Sequence, residues 1–228
     1  MTPESKLAVF FPGQGSQSVG MLQALAGDHP VVLDVFGEAS EALGRDLWDL
    51  TSRGPGDVLD QTENTQPAML AAGVAAWRVW LEAGGPPATL MAGHSLGEYT
   101  ALVASGALSF QDGIRLAADR ARYMQEAVPA GEGAMAAVLG LDDAGVLALC
   151  DAEARGEVLE AVNFNAPGQV VIAGTRAAVE RAVAAARSAG AKRALVLPAS
   201  VPSHGALLPP AADRLPQRLR QADLRIRH

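Results

Sequence analysis

The run Gly93-His94-Ser95-Leu96-Gly97 stands between an apolar stretch, Ala88 to Met91, and an alanine-rich segment, Leu96 to Ala104. No other feature restricts the fold as tightly, because it demands a strand, a sharp turn and a helix in immediate succession. A serine at the apex of such a turn has its hydroxyl lifted above the sheet. The flanking positions must be glycine, since a Cβ there would clash with the returning backbone. The five-residue pattern alone would also fit a glycine-rich strand-to-helix turn with an idle serine. The flanking strand and helix are what favour a nucleophile elbow.

The rest of the chain supports an α/β reading. Leu7 to Phe11 is wholly apolar and stops at Pro12-Gly13, the pattern of a buried parallel strand. The loop from Gly13 to Gln17 leads to a helix near Met21 to Ala26. A second helix is expected over Pro30 to Leu43, with Val32, Val35, Phe36, Ala39 and Leu43 on one face. Pro67 to Ala83 reads as the clearest helix: Pro67 suits its first turn, Leu70, Val74, Trp77 and Leu81 form one stripe, and Gly84-Gly85-Pro86 stops it. Helices over Leu96 to Ala104 and Phe110 to Val128 follow the elbow. Strands alternating with helices predict a hydrolase-like domain built on a parallel sheet.

Beyond Pro129 the texture changes. Ala134 to Leu141 reads as a strand, and Asp142 to Ala154 as a helix capped by Asp142. Val158 to Phe164 and Gln169 to Ala173 read as strands, Thr175 to Ala189 as a helix capped by Thr175, and Ala191 to Leu197 as a last strand. The order β-α-β-β-α-β is ferredoxin-like. The expected organisation is therefore a catalytic domain formed by residues 1–131 and 199–228, with an α+β subdomain inserted at 132–198.

Composition removes several function classes. The 228 residues are 49% hydrophobic, enough for a full core, and the net charge of −7 with scattered basic residues gives no nucleic-acid footprint. Sixteen of the eighteen basic residues are arginine, and Arg214, Arg218, Arg220, Arg225 and Arg227 crowd the tail. That cluster fits a solvated helix face or an acidic partner. The single cysteine, Cys150, excludes an internal disulfide, argues against a thiolate metal cage, and lies in an apolar run where a buried structural thiol is expected. No apolar stretch near the start is long enough for a signal core or a membrane span. The expectation is a soluble, cytoplasmic monomer with no metal or resident cofactor.

A serine needs a base at neutral pH, and histidine is the usual one. Four histidines are present. His94 abuts the serine and should point to the other side of the turn. His29 precedes Pro30 at a helix start, and His228 is terminal. His204 remains, in a loop leaving the last strand of the subdomain; an ordinary loop histidine is the alternative. No acid stands out as a third member. An oxyanion needs backbone donors, and the Leu96 N–H at the helix start supplies one. The turn around Gln14 is the natural source of a second. That turn lacks the third glycine of a dinucleotide fingerprint and the Lys-Ser/Thr of a P-loop, which disfavours phosphate binding there.

Taken together, six segments resemble the malonyl-CoA:acyl carrier protein transacylase family, in its order and across residues 7–215. They are Phe11 to Gln17, Thr65 to Ala68, Gly93 to Tyr99, Met124 to Ala127, Asn163 to Gly174 and Val201 to His204. The resemblance implies that Ser95 takes the malonyl group as an ester, with His204 as base and the backbone N–H groups of Gln14 and Leu96 as oxyanion hole. The phosphopantetheine thiol of acyl carrier protein then removes the acyl group, a ping-pong transfer serving fatty acid biosynthesis. It also explains the missing acid, because the family orients its histidine with a backbone carbonyl. Arg120 is assigned by the resemblance alone, as the residue that grips the free malonyl carboxylate; otherwise it reads as a surface arginine. Gln66 and Asn165 resemble residues lining the pocket and the pantetheine path, though both fit turn or cap roles.

Family members continue past Arg227-His228. The further part is expected to supply strands of the main sheet, a Gly-Pro-Gly motif and the carbonyl that orients the histidine, so the large domain is expected to show bare apolar surface and an open strand edge. Three other readings stay open. A polyketide-synthase acyltransferase shares the elbow, although the stand-alone start at Met1 favours the fatty-acid enzyme. A serine (thio)esterase would need a triad acid and no Arg120. An inactive remnant would at most bind a carrier protein or CoA. An acidic carrier is expected to dock on the arginine-bearing C-terminal helix or on Lys192-Arg193.

Overall fold

The computed structural model describes residues 6–129, 131–197 and 201–225. Two compact units emerge, one formed by residues up to Ala121 together with those from Pro216 onward, the other by Arg122–Leu215.

The first unit contains β1 (Ala8–Phe11), α1 (Gln23–Asp28), α2 (Val31–Leu43), α3 (Leu47–Arg53), α4 (Gly56–Leu59), α5 (Thr62–Glu82), β2 (Leu90–Gly93), α6 (Leu96–Ala104) and the part of α7 (Phe110–Ala127) up to Ala121. Strands β1 and β2 pair in parallel, with Ala8 opposite Leu90 and Phe11 opposite Gly93. One face of this sheet is covered: Phe11, Trp77 and Ala101 form a small core that Val9 and Met91 join. The alternating residues do the opposite. Phe10 is 71% exposed and Leu90 59%, so the apolar run read as doubly buried is covered on one face only. The outer edges of both strands line open grooves, of about 770 Å³ beside β2 and about 510 Å³ beside β1.

Helix α2 buries the expected stripe of Val32, Val35, Phe36 and Ala39 against α5. Helix α5 departs from expectation in two ways. It starts at Thr62, five residues before Pro67, which therefore lies inside it. A proline there leaves the Glu63 carbonyl without its i+4 donor, and the Arg45 guanidinium supplies one instead, Nη2 donating at 2.8 Å. Nor does α5 bury a single stripe: Ala68, Met69, Leu70, Ala71, Ala72, Val74 and Ala75 are all buried, while Leu81 is exposed. A helix buried on most sides loses the one-faced periodicity used to locate it. The short helices α3 and α4 carry too few residues to show a period.

The second unit holds the end of α7, then β3 (Gly133–Leu139), α8 (Asp143–Ala154), β4 (Leu159–Ala166), β5 (Gln169–Thr175), α9 (Arg176–Ala186), β6 (Arg193–Val196) and the start of α10 (Pro209–Leu219). Its sheet runs β4-β5-β3-β6, antiparallel at every step, the ferredoxin-like arrangement. Both caps act as read: Asp142 accepts from Gly145 N–H at 2.8 Å and Thr175 from Ala178 N–H at 3.4 Å. Ala136, Val138, Val170 and Ile172 pack with Val146, Val179 and Ala182 of the two helices. Besides residues 132–198, the unit takes in a cluster of Met124, Val128, Val201 and Ala211. Cys150 is a buried free thiol, which burial, ahead of Asp151 and Glu160, pushes up to about 11.

Candidate active site

Ser95 lies between the last residue of β2 and the first of α6, with φ 54° and ψ −106°. Positive φ is uncommon for a residue with a Cβ and is tolerated only where the surroundings impose it. Two glycines impose it here. A Cβ on Gly93 would stand 1.9 Å from the Gly97 carbonyl carbon, and one on Gly97 would stand 2.1 Å from the Phe11 carbonyl oxygen. The strand and the helix therefore cross at backbone contact, and the serine projects from the crossing.

Serine is a favoured helix N-cap, yet the Ser95 side chain makes no cap hydrogen bond to α6. Its Oγ accepts instead from Arg120 Nη2 at 2.9 Å, while Arg120 Nη1 donates to Gln66 Oε1 at 2.6 Å. Gln66 is fully buried in the first turns of α5, so its amide is a fixed anchor. The guanidinium also lies over the Tyr99 ring, 5.9 Å from its centroid. Burial lowers the Arg120 pKa, against Tyr99 and Glu98, which raise it; arginine's intrinsic basicity keeps it cationic. Burial likewise raises the Tyr99 phenol, with Arg120 opposing. Tyr99 is the contact that sequence reasoning missed, although it stands in the elbow motif. Its spacing of four from Ser95 across the first turn of α6 was the available signal.

Leu96 is the first residue of α6, where N–H groups fall outside the i→i−4 ladder. The loop after β1 runs beside the elbow: His94 N–H donates to the Phe11 carbonyl at 3.0 Å, and a Cβ on Gly13 would stand 2.7 Å from the His94 carbonyl oxygen. Gln14 follows directly, its side chain held by Thr62 Oγ1 at 3.1 Å. Ser95, Leu96, Arg120, Gln66 and Gln14 thus all belong to the first unit. His204 and Asn165 belong to the second. His204 is exposed, with φ 66°, in the loop between β6 and α10. Asn165 is exposed at the irregular end of β4, beside a groove formed with Asp142, Asp143 and Phe164.

The tail arginines are largely engaged. Arg214 pairs with Glu126 and lies over the Tyr123 ring, Arg218 bonds Asp119 at 2.6 Å, and Arg225 pairs with Asp223. Arg227 and His228 lie outside the described residues, as do Met1 to Ser5. Among the described residues no helix is long and apolar enough to cross a membrane, and no group of His, Cys, Asp and Glu could hold a metal ion.

Residues 9–227 match the family model described as acyl transferase domain. The chain is 58% identical over 164 residues to a malonyl CoA-acyl carrier protein transacylase of Salmonella typhimurium, an alignment covering 72% of this chain and 53% of that protein. It thus spans about half the length of the curated relatives it matches. It is also similar to the solved malonyl CoA-acyl carrier protein transacylase of Coxiella burnetii, with TM-score 0.93, 50% identity, and 96% of this chain against 70% of that one. A malonyl-transacylase solved with a type II polyketide synthase acyl-carrier protein gives TM-score 0.93 and 55% identity, over 97% of this chain and 72% of that one. The strained serine, its arginine and these likenesses agree: the chain belongs to the acyl transferase domain family.

Proposed function

We propose that this protein moves a malonyl group from malonyl-CoA to the phosphopantetheine thiol of acyl carrier protein, for fatty acid biosynthesis. The observation that carries this reading is the hydrogen bond from Arg120 Nη2 to Ser95 Oγ. A guanidinium fork matches a carboxylate bidentately, and this one stands a short step along the acyl chain from the atom that would bear the ester. A simple acetyl or fatty acyl group has nothing for it to hold.

The chemistry runs in two halves. Ser95 Oγ attacks the thioester carbonyl as His204 accepts its proton, and the N–H groups of Gln14 and Leu96 hold the developing oxyanion. Collapse expels CoA thiolate, which takes the proton from His204 and leaves malonyl on Ser95. The carrier thiol then gives its proton to His204 and attacks the ester, returning the alcohol to Ser95. Gln66 keeps the guanidinium aimed, and Asn165 serves the pantetheine path. No resident cofactor enters either half. A buried free Cys150 fits a reducing, cytoplasmic setting. With Arg214, Arg218 and Arg225 paired, Lys192 and Arg193, both exposed, are the better landing point for an acidic carrier.

Intact-protein mass spectrometry after mixing with malonyl-CoA tests the reading. A malonyl adduct that maps to Ser95 and disappears on adding holo carrier protein is expected. Absence of the adduct overturns the reading, and equal malonate release with and without carrier would make the protein a thioesterase. The likeness to the transacylase solved with a polyketide carrier favours a second recipient of the same chemistry; comparing transfer rates to fatty-acid and polyketide carriers decides between them.

A further inference from the structure

The loop bearing His204 is pinned from both sides within the second unit. Upstream, Pro202 packs on Gly133, where a Cβ would stand 2.4 Å from its Cγ, and Ser203 N–H points to Met135 Sδ at 3.2 Å. Downstream, Ala206 N–H donates to Glu160 Oε2 at 2.7 Å, and a Cβ on Gly205 would stand 3.3 Å from that same oxygen. His204 lies between these fastenings with φ 66°, a conformation uncommon for a residue with a Cβ.

Glu160 is an exposed residue of β4, the edge strand of its sheet. It sits on β4 opposite Ala173, on the sheet face that carries Met135, Val162, Val171 and Ala173. A carboxylate accepting a backbone N–H makes a charge-assisted bond, stronger than one between neutral groups. Of the three fastenings on Pro202, Ser203 and Ala206, the last is the charged one.

We infer that Glu160 is the positioning residue of the base: by accepting the Ala206 N–H it fixes the turn that presents the His204 imidazole. This rests on the reading of His204 as the proton acceptor for Ser95. Its ferredoxin-like sheet thereby gains a task in the reaction without touching substrate.

Glu160→Ala and Glu160→Gln separate the possibilities, since glutamine keeps an acceptor oxygen. Two readouts are needed. One is the single-turnover rate of malonyl ester formation; the other is the His204 Cε1–Hε1 resonance in protein carrying 13C-labelled histidine, assigned with His204→Asn. Glu160→Ala should slow ester formation about tenfold or more with the malonyl-CoA concentration dependence unchanged, and should shift and broaden the His204 resonance. Glu160→Gln should match wild type in both. Wild-type behaviour of Glu160→Ala overturns the inference, as does equal loss in Glu160→Gln. A wild-type protein that forms no ester defeats the transfer reading instead, while the resonance still decides what Glu160 does to the loop.

Discussion

The two sheets of this protein differ in how much of themselves they cover. The four-stranded sheet carries two helices on one face and closes a core of small and branched side chains around Ile172 and Val138. The two-stranded sheet has helices on one face and exposes Phe10 and Leu90 on the other. Yet the poorly covered sheet holds the strained serine. A regular antiparallel sheet has its register set by alternation along its strands; a short parallel pair depends on what packs against it, and here that is the backbone crossing at Gly93 and Gly97. The lesson is that local precision at the elbow comes from contact between main chains, not from the completeness of the surrounding layer.

That contrast can be attacked in order of expected effect. Gly97→Ala places a methyl against the Phe11 carbonyl and should cost more than about 4 kcal/mol; amide exchange should show the first unit opening while β3 to β6 stay protected. Equal loss in both units would mean that the sheets are one cooperative body. Ile172→Ala removes the centre of the other core and should cost about 2–5 kcal/mol, read by denaturant unfolding with exchange rising in the second unit first. Arg120→Ala should erase about 1.5–3 kcal/mol of preference for malonyl over acetyl groups, measured by competition between the two CoA thioesters. Unchanged preference would remove Arg120 from recognition. Asp142→Ala deletes the α8 cap for about 1 kcal/mol, seen as faster exchange in the first turn of that helix. Phe10→Thr, on the bare face, should change stability by no more than about 0.5 kcal/mol while reducing self-association in light scattering. A large destabilisation there would show that the face is covered after all.

How much of this was legible in the sequence depended on whether the cause was local. The elbow, both caps of the ferredoxin-like unit and the α2 stripe follow from residues within a few positions of one another, and the structure shows them. The start of α5 does not. Pro67 reads as a first-turn residue until Arg45, more than twenty positions away, is seen to satisfy the Glu63 carbonyl. The exposure of Phe10 was equally hidden, because a fully apolar run says that both faces tolerate burial and not that both are buried. Within the candidate site, Ser95 announced itself through its glycines. Arg120 could not: its partners lie 25 and 54 residues away in sequence, and only a family resemblance singled it out. Tyr99, 21 residues from Arg120, was marked only by its place four residues after Ser95.

The left-handed backbone at Ser95 has a consequence for the energetics of the whole chain. Alanine at that position would inherit the same torsional burden, because the obstruction comes from Cβ and not from the hydroxyl. Glycine would shed it. A protein stripped of its reactive alcohol by Ser95→Gly should therefore melt at a higher temperature than the native sequence, whereas Ser95→Ala should not, so that robustness and reactivity are in direct opposition at a single Cα.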